Sequence, residues 1–217
     1  MKHKKGTVLI ILGLLLIASA AALVVYNIRE TERAAQTSAA AVEQLVAVIP
    51  TQPPETEPEP EAVPQETVPQ LPSEVEIPDY ILNPGMEMPT ETVDGQDYIG
   101  ILEIPAFDLV LPVISTWSYP SFQSAPCRYT GSAYQDNLII AAHNYSSHFG
   151  NLQALSVGDP IRFTDVDGHV FAYEVVEMEI LDPTAAEEME AGDWDLTMFT
   201  CTVGGASRVT VRCVRCE

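Results

Sequence analysis

From about residue 77 onward the sequence predicts an all-β domain, a closed barrel or a sandwich. One N-terminal apolar helix and a spacer precede it. Three observations carry this reading. Val8 to Tyr26 is a run of 19 residues without a charge. Thr51 to Glu74 holds seven prolines and six glutamates, with neither lysine nor arginine. Beyond Ile77, short apolar and alternating runs follow one another between glycine, proline and aspartate, the rhythm of strands and turns.

Residues 1–6 are basic, with Lys2, Lys4 and Lys5. Residues 7–26 form the apolar segment; the 19 residues Val8 to Tyr26 within it span roughly 28 Å as a helix, close to a bilayer's hydrocarbon core. The basic flank is expected to stay in the cytoplasm, so the remainder faces outward. A cleaved secretory signal competes with this reading, because Ala18, Ser19 and Ala20 are small. The apolar run continues through Val25 and favours an uncleaved anchor. Residues 27–76 read as an extracellular stalk. Its first part, up to Pro50, mixes charge with alanine and allows a short helix. The proline- and glutamate-rich part cannot bury a core and reads as extended and solvated.

Residues 77–217 suffice for one core. Ile99–Ile104 and Asp108–Val113 read as strands around Pro105. Leu138 to Ala142 is continuously apolar, as in a strand buried on both faces. Ile161–Thr164 and His169–Leu181 flank the turn signal Asp167-Gly168. In the longer of these, Phe171, Tyr173 and Val175 share one face, whereas Val176, Met178 and Ile180 take the next. That phase change predicts a bulge near Val175.

The formal net charge is −21. No lysine follows Lys5, and no basic residue lies between Arg33 and Arg128. Nucleic-acid binding is excluded on this ground, since neutralising phosphates needs a basic surface.

Three side chains stand at the ends of these runs. Cys201 closes Thr197-Met-Phe-Thr200 and precedes the Gly204-Gly205 turn, where a peptide can reach a thiol. A thiolate is the nucleophile, so it needs an electropositive neighbour. His143 follows the buried run and can carry a proton at a cleft rim. Arg208 opens Arg208-Val-Thr-Val-Arg212 on the face opposite Val209 and Val211, suited to an oxyanion or a peptide carbonyl. Singly, each has a plainer reading: a core cysteine, a loop histidine, a solvated strand-end arginine. His148 and His169 compete with His143, but His169 adjoins a turn and reads as solvated. Asn144 and His148 lie in the same loop as His143, and Thr200 adjoins Cys201; these three are the candidate substrate-binding residues.

Cys213-Val-Arg-Cys216 has the spacing of a metal or redox motif. On a strand, however, residues three apart point to opposite faces, and a tetrahedral site needs two more ligands. No metal and no cofactor are expected. Cys213 reads as core and Cys216 as a frayed end; Cys127 reads as a loop residue between Pro126 and Arg128.

Together these segments resemble the sortases, membrane-anchored cysteine transpeptidases of mainly Gram-positive bacteria. Ala142-His143 is similar to the family's histidine after an apolar strand. Thr197-Met-Phe-Thr200-Cys201 is similar to its Thr-Leu-x-Thr-Cys segment, with Met198 for leucine, and Arg208 to the arginine of the following strand. Tyr98–Pro105 resembles the opening strand and Tyr129–Ala133 the turn before the histidine strand. The resemblance covers about Tyr98 to Arg215, and the anchor and stalk fit it. It implies an eight-stranded closed barrel with short helices and a Cys-His-Arg site. It further implies cleavage of a Leu-Pro-x-Thr-Gly-like C-terminal sorting signal on secreted proteins through a thioester. An amine of a peptidoglycan precursor or a pilin lysine would then take the acyl group. A peptidase using water, and a noncatalytic anchored binding module, are the competing classes. The acidic segment Asp182–Asp195 is too short for a long inserted helix.

Overall fold

The computed structural model describes residues 2–50 and 77–216. The proline- and glutamate-rich stretch read as a stalk lies outside the described residues. Helix α1 runs unbroken over Lys2–Val48, roughly 70 Å at ~1.5 Å per residue. Its apolar part exposes residues such as Leu9, Leu15 and Ile17, and the helix is long and apolar enough to cross a membrane.

The second half of α1 carries the helix allowed up to Pro50, and it packs on the barrel rather than standing free. Ala34, Ser38, Ala41 and Leu45 are buried, at the three- and four-residue spacing of one helix face. Leu45 packs into a cluster with Tyr98, Ile101, Ile114 and Cys127. The helix therefore adds a wall to the barrel.

The barrel comprises β2 (Gln96–Ile104), β3 (Leu109–Ile114), β4 (Cys127–Thr130), β5 (Leu138–Ala141), β6 (Pro160–Asp165), β7 (Val170–Leu181), β8 (Leu196–Cys201) and β9 (Arg208–Arg215). A short β1, Glu91–Val93, pairs with β2 outside the ring. The ring order is β2-β3-β4-β5-β8-β9-β7-β6, and β6 closes onto β2. Eight strands thus leave no open edge, as the resemblance implied. Helices are short: α2 (Asp79–Leu82), α3 (Tyr119–Ser124) and α4 (Ala186–Glu190).

The interior is filled by alternate residues of each strand, among them Leu102, Leu138, Ile140, Phe163, Phe171, Met198 and Val211. Met198 is fully buried; methionine fills a leucine-sized place at little cost. The pairing of β7 with β9 shifts register between Val175 and Glu177, at the predicted bulge. Gly131, at φ +77°, turns the chain after β4, and a Cβ there would run into the Asn137 carbonyl.

The segment β4 corrects the loop placement of Cys127. This residue pairs with Ile114 on one side and Ala141 on the other and is fully buried. The signal was weak because β4 has four residues, follows a proline and buries only its first.

Candidate active site

Strand β8 is the middle rail of the site. It runs parallel to β5, pairing Leu138 with Leu196 and Ala141 with Phe199. The offset of 58 residues persists past the end of β5. The Ala142 amide donates to the Phe199 carbonyl at 3.2 Å, and the Thr200 hydroxyl donates to the Ala142 carbonyl at 2.7 Å. His143 follows directly on Ala142, as Cys201 follows on Thr200, so the same offset carried one step on aligns the two. On the other edge β9 is antiparallel and pairs Cys201 with Arg208.

Residues paired across strands share a face. Leu138, Ile140 and Ala142 point into the core with Leu196 and Met198, and so do Val209, Val211 and Cys213. His143, Cys201 and Arg208 therefore stand in one row on the outer face, at the rim where β8 ends. All three are half-buried. The hairpin beyond them is closed by the Thr202 amide donating to the Ser207 carbonyl (3.0 Å) and the Gly205 amide to the Thr202 carbonyl (2.8 Å). Gly204 and Gly205 take φ of +84° and +73°, which residues with a Cβ rarely adopt.

The His143 ring is held by stacking. Tyr145 lies on it at 4.1 Å between centroids and 13° between planes, and Phe122 of α3 approaches at 5.6 Å. Among the described residues its Nδ1 has no hydrogen-bond partner, and no ion pair to it is formed. Burial lowers its pKa below the ordinary 6.5, and a hydrogen bond with Asn144 opposes this. The Arg208 guanidinium reaches back to the Gly205 and Ser207 carbonyls at 3.4 and 3.3 Å; such long contacts hold it loosely.

The other candidates occupy different places. Thr200 is 3% exposed, with its hydroxyl committed to Ala142. Asn144 is half-buried beside His143. His148 is 1% exposed and lies beneath α1. The Ser38 hydroxyl donates to the Ser124 carbonyl at 3.0 Å. Its single proton being committed there, His148 Nε2 is the donor in their 3.1 Å contact. Burial, and the charge of His143, push the His148 pKa down to about 4, against a hydrogen bond with the Ala34 backbone. His169 is likewise engaged elsewhere, 2.9 Å from the buried Asp165, which also accepts from the Tyr134 hydroxyl at 2.7 Å.

Sequence reasoning missed Tyr145, Phe122 and Arg212. Arg212 is 2% exposed on the outer face of β9, with the Phe199–Thr210 pair between it and Arg208. It donates to Glu179 Oε1 and to the Glu188 and Met189 carbonyls at 2.7 Å each, and to Thr197 Oγ1 at 3.0 Å. It thereby pins α4 to the barrel beside the site. Its alternation with Arg208 was visible, but the helix that buries it was not.

All four cysteines are free. Burial pushes the thiols of Cys127 and Cys213 up to about 12, so neither is a nucleophile near neutrality. Cys216 is exposed and Cys201 half-buried on the rim. Among the described residues no cluster of metal-ligating side chains occurs.

Comparison with known proteins agrees with this architecture. Several solved structures have a similar fold. Sortase A from Corynebacterium diphtheriae matches with a TM-score of 0.52 and 22% identity, over 56% of this chain and 62% of that one. A sortase D5 transpeptidase of Clostridium perfringens matches at 0.51 and 23%, over 58% and 83%. A sortase C of Clostridium perfringens, solved with the C-terminal cell wall sorting motif, matches at 0.50 and 22%, over 56% and 72%. The chain thus spans less than two thirds of the Corynebacterium structure. No curated protein sequence matches it. The sortase domain model matches residues 102–216, which takes in every strand from β3 to β9, and on that match this chain belongs to the sortase family.

Proposed function

We propose that this protein is a cysteine transpeptidase acting on a C-terminal sorting signal of exported proteins. The single observation that carries the reading is Cys201 paired with Arg208 at the half-buried end of β8, with His143 two residues past the end of the neighbouring β5. Its chemistry is ordered by the geometry. Neutral His143 takes the Cys201 proton as sulfur attacks the peptide carbonyl. Arg208, on the opposite flank of the sulfur, meets the tetrahedral oxyanion with its fork of donors. The imidazolium then protonates the departing amine, leaving an acyl thioester on Cys201. An incoming amine, from a peptidoglycan precursor or a pilin lysine, gives its proton back to His143 and releases the thiolate. By resemblance the signal is of the Leu-Pro-x-Thr-Gly type; the family relative solved with a cell wall sorting motif supports that class of substrate.

In this reading α1 crosses the cytoplasmic membrane with Lys2, Lys4 and Lys5 inside. The barrel lies outside, close to the bilayer surface. From Tyr26, the end of the apolar run, to Ala34, the first buried residue of the helix, is eight helical residues, or ~12 Å. Thr200 acts from beneath, keeping the ends of β5 and β8 in step. Asn144 lines the site beside His143.

The test adds glycinamide and a Leu-Pro-Glu-Thr-Gly peptide to the full chain in detergent. A ligated product is expected, absent in Cys201→Ala. Hydrolysis alone at every amine concentration would make the protein a peptidase, and turnover by Cys201→Ala would remove the mechanism.

A further inference from the structure

Helix α1 does more than carry the barrel. Its turn after the apolar run forms one side of a cavity of about 350 Å³ whose other side is the loop after β5. Asn27, Glu30 and Thr31 face His143, Asn144 and Tyr145 across it. Tyr26, the last residue of the apolar run, and Gln123 complete a lining of mixed polar and aromatic side chains, whose one formal charge is the Glu30 carboxylate, 28% exposed. Glu30 stands close enough to Tyr145 that, after burial, its charge is the largest influence raising that phenol's pKa, and Tyr145 is the residue stacked on His143. Arg33, 77% exposed, stands 3.2 Å from Glu30 Oε1. Such a contact is weak and exchangeable for another cation.

We propose that this cavity is the acceptor subsite, where Glu30 of α1, with Asn27 and Thr31, receives the ammonium group of a primary amine next to His143. The proposal rests on the transpeptidase reading and names where its second substrate enters. An ammonium gathered at Glu30 loses one proton to solvent and becomes a free amine beside His143, from which it reaches the thioester. Its nitrogen attacks the acyl carbon. The C–N bond forms, the C–S bond breaks, the second amine proton passes to His143 and the thiolate returns to Cys201. A carboxylate, two amides and a hydroxyl offer acceptors for the three N–H bonds of an ammonium, whereas a neutral hydroxyl or water gains little from the charge. The subsite would thus bias the thioester toward amines over water.

The test reads the ratio of aminolysis to hydrolysis, because both products leave the same thioester. Full-length chain in detergent is given a Leu-Pro-Glu-Thr-Gly peptide and a series of glycinamide concentrations. In Glu30→Gln the ratio at subsaturating amine should fall about three- to fivefold, the scale of a partly screened ion pair, and recover at saturating amine. A variant that merely folds poorly loses both products together and leaves the ratio unchanged. Glu43→Gln makes the same charge change on an exposed part of α1 and should match the parent. A ratio unaltered in Glu30→Gln, while the parent ligates amine, would overturn the subsite alone. Failure of the parent to form a thioester would overturn the transpeptidase reading and the subsite with it.

Discussion

At the scale of single residues, the two histidines near the site divide the labour by burial. His143 sits on the rim with one face on Tyr145. His148, five residues on, is sealed under α1 and tied to Ser38. Its pKa near 4 makes stability depend on pH with a definite sign. The unfolded chain binds a proton at about pH 6.5, and the folded chain does not until about pH 4. Stability is complete above pH 6.5 and is lost as pH falls toward 4, by ~1.4 kcal/mol per unit. His143, also lowered, adds in the same direction. Denaturant titrations between pH 7 and 4.5 should show this loss, and His148→Gln should remove most of it. An identical slope in the variant would contradict the assignment. The sequence made the distinction legible only in part. The length of the buried run placed His143 at its end, but the helix that buries His148 comes from 110 residues away. No local pattern announces it.

Among the elements, the strands were the most legible and the pieces that cover them the least. The phase change in β7 gave away its bulge, and the 58-residue interval between His143 and Cys201 became the register of β5 on β8. Strand β4 and helix α4 were hidden. The first is short, and the second consists of Ala-Glu-Glu-Met-Glu, with Met189 alone buried. What fixes α4 is Arg212, whose four hydrogen bonds end on Glu179, Glu188, Met189 and Thr197. Arg212→Met keeps volume and removes every donor. It should cost ~3 kcal/mol or more, since carbonyls and a carboxylate lose a charged partner, and it should open residues 182–195 to proteolysis before the barrel unfolds. Arg212→Lys should recover part of this, because an ammonium cannot span all four acceptors. Parent-like protease resistance in the methionine variant would show that α4 is held by other means.

For the whole molecule, the question is how an anchor, a barrel and a reactive row are joined. Composition allowed a short helix between residues 27 and 50 but gave no sign that it docks, because its buried face is built of Ala34, Ser38 and Ala41 and announces itself with one large residue, Leu45. Small residues let a helix lie close to a sheet while contributing little to any hydropathy pattern. Leu45 is fully buried, so Leu45→Ala should destabilise the barrel by ~2–5 kcal/mol in denaturant titrations of the full chain. A tether would show no such effect. The resulting picture is a closed barrel held by a rigid helix, with His143 and Glu30 facing one another across the junction and Cys201 one strand further on. Its central claim is covalent: the acyl group of a sorting peptide rests on the Cys201 sulfur. Intact mass spectrometry of full-length chain, quenched in acid during turnover of a Leu-Pro-Glu-Thr-Gly peptide, measures this directly. The account predicts a mass increase equal to the acyl fragment, mapped to the fragment holding Cys201, labile to hydroxylamine and absent in Cys201→Ala. Turnover with no adduct on Cys201, or an adduct on Cys127, Cys213 or Cys216 instead, would contradict it.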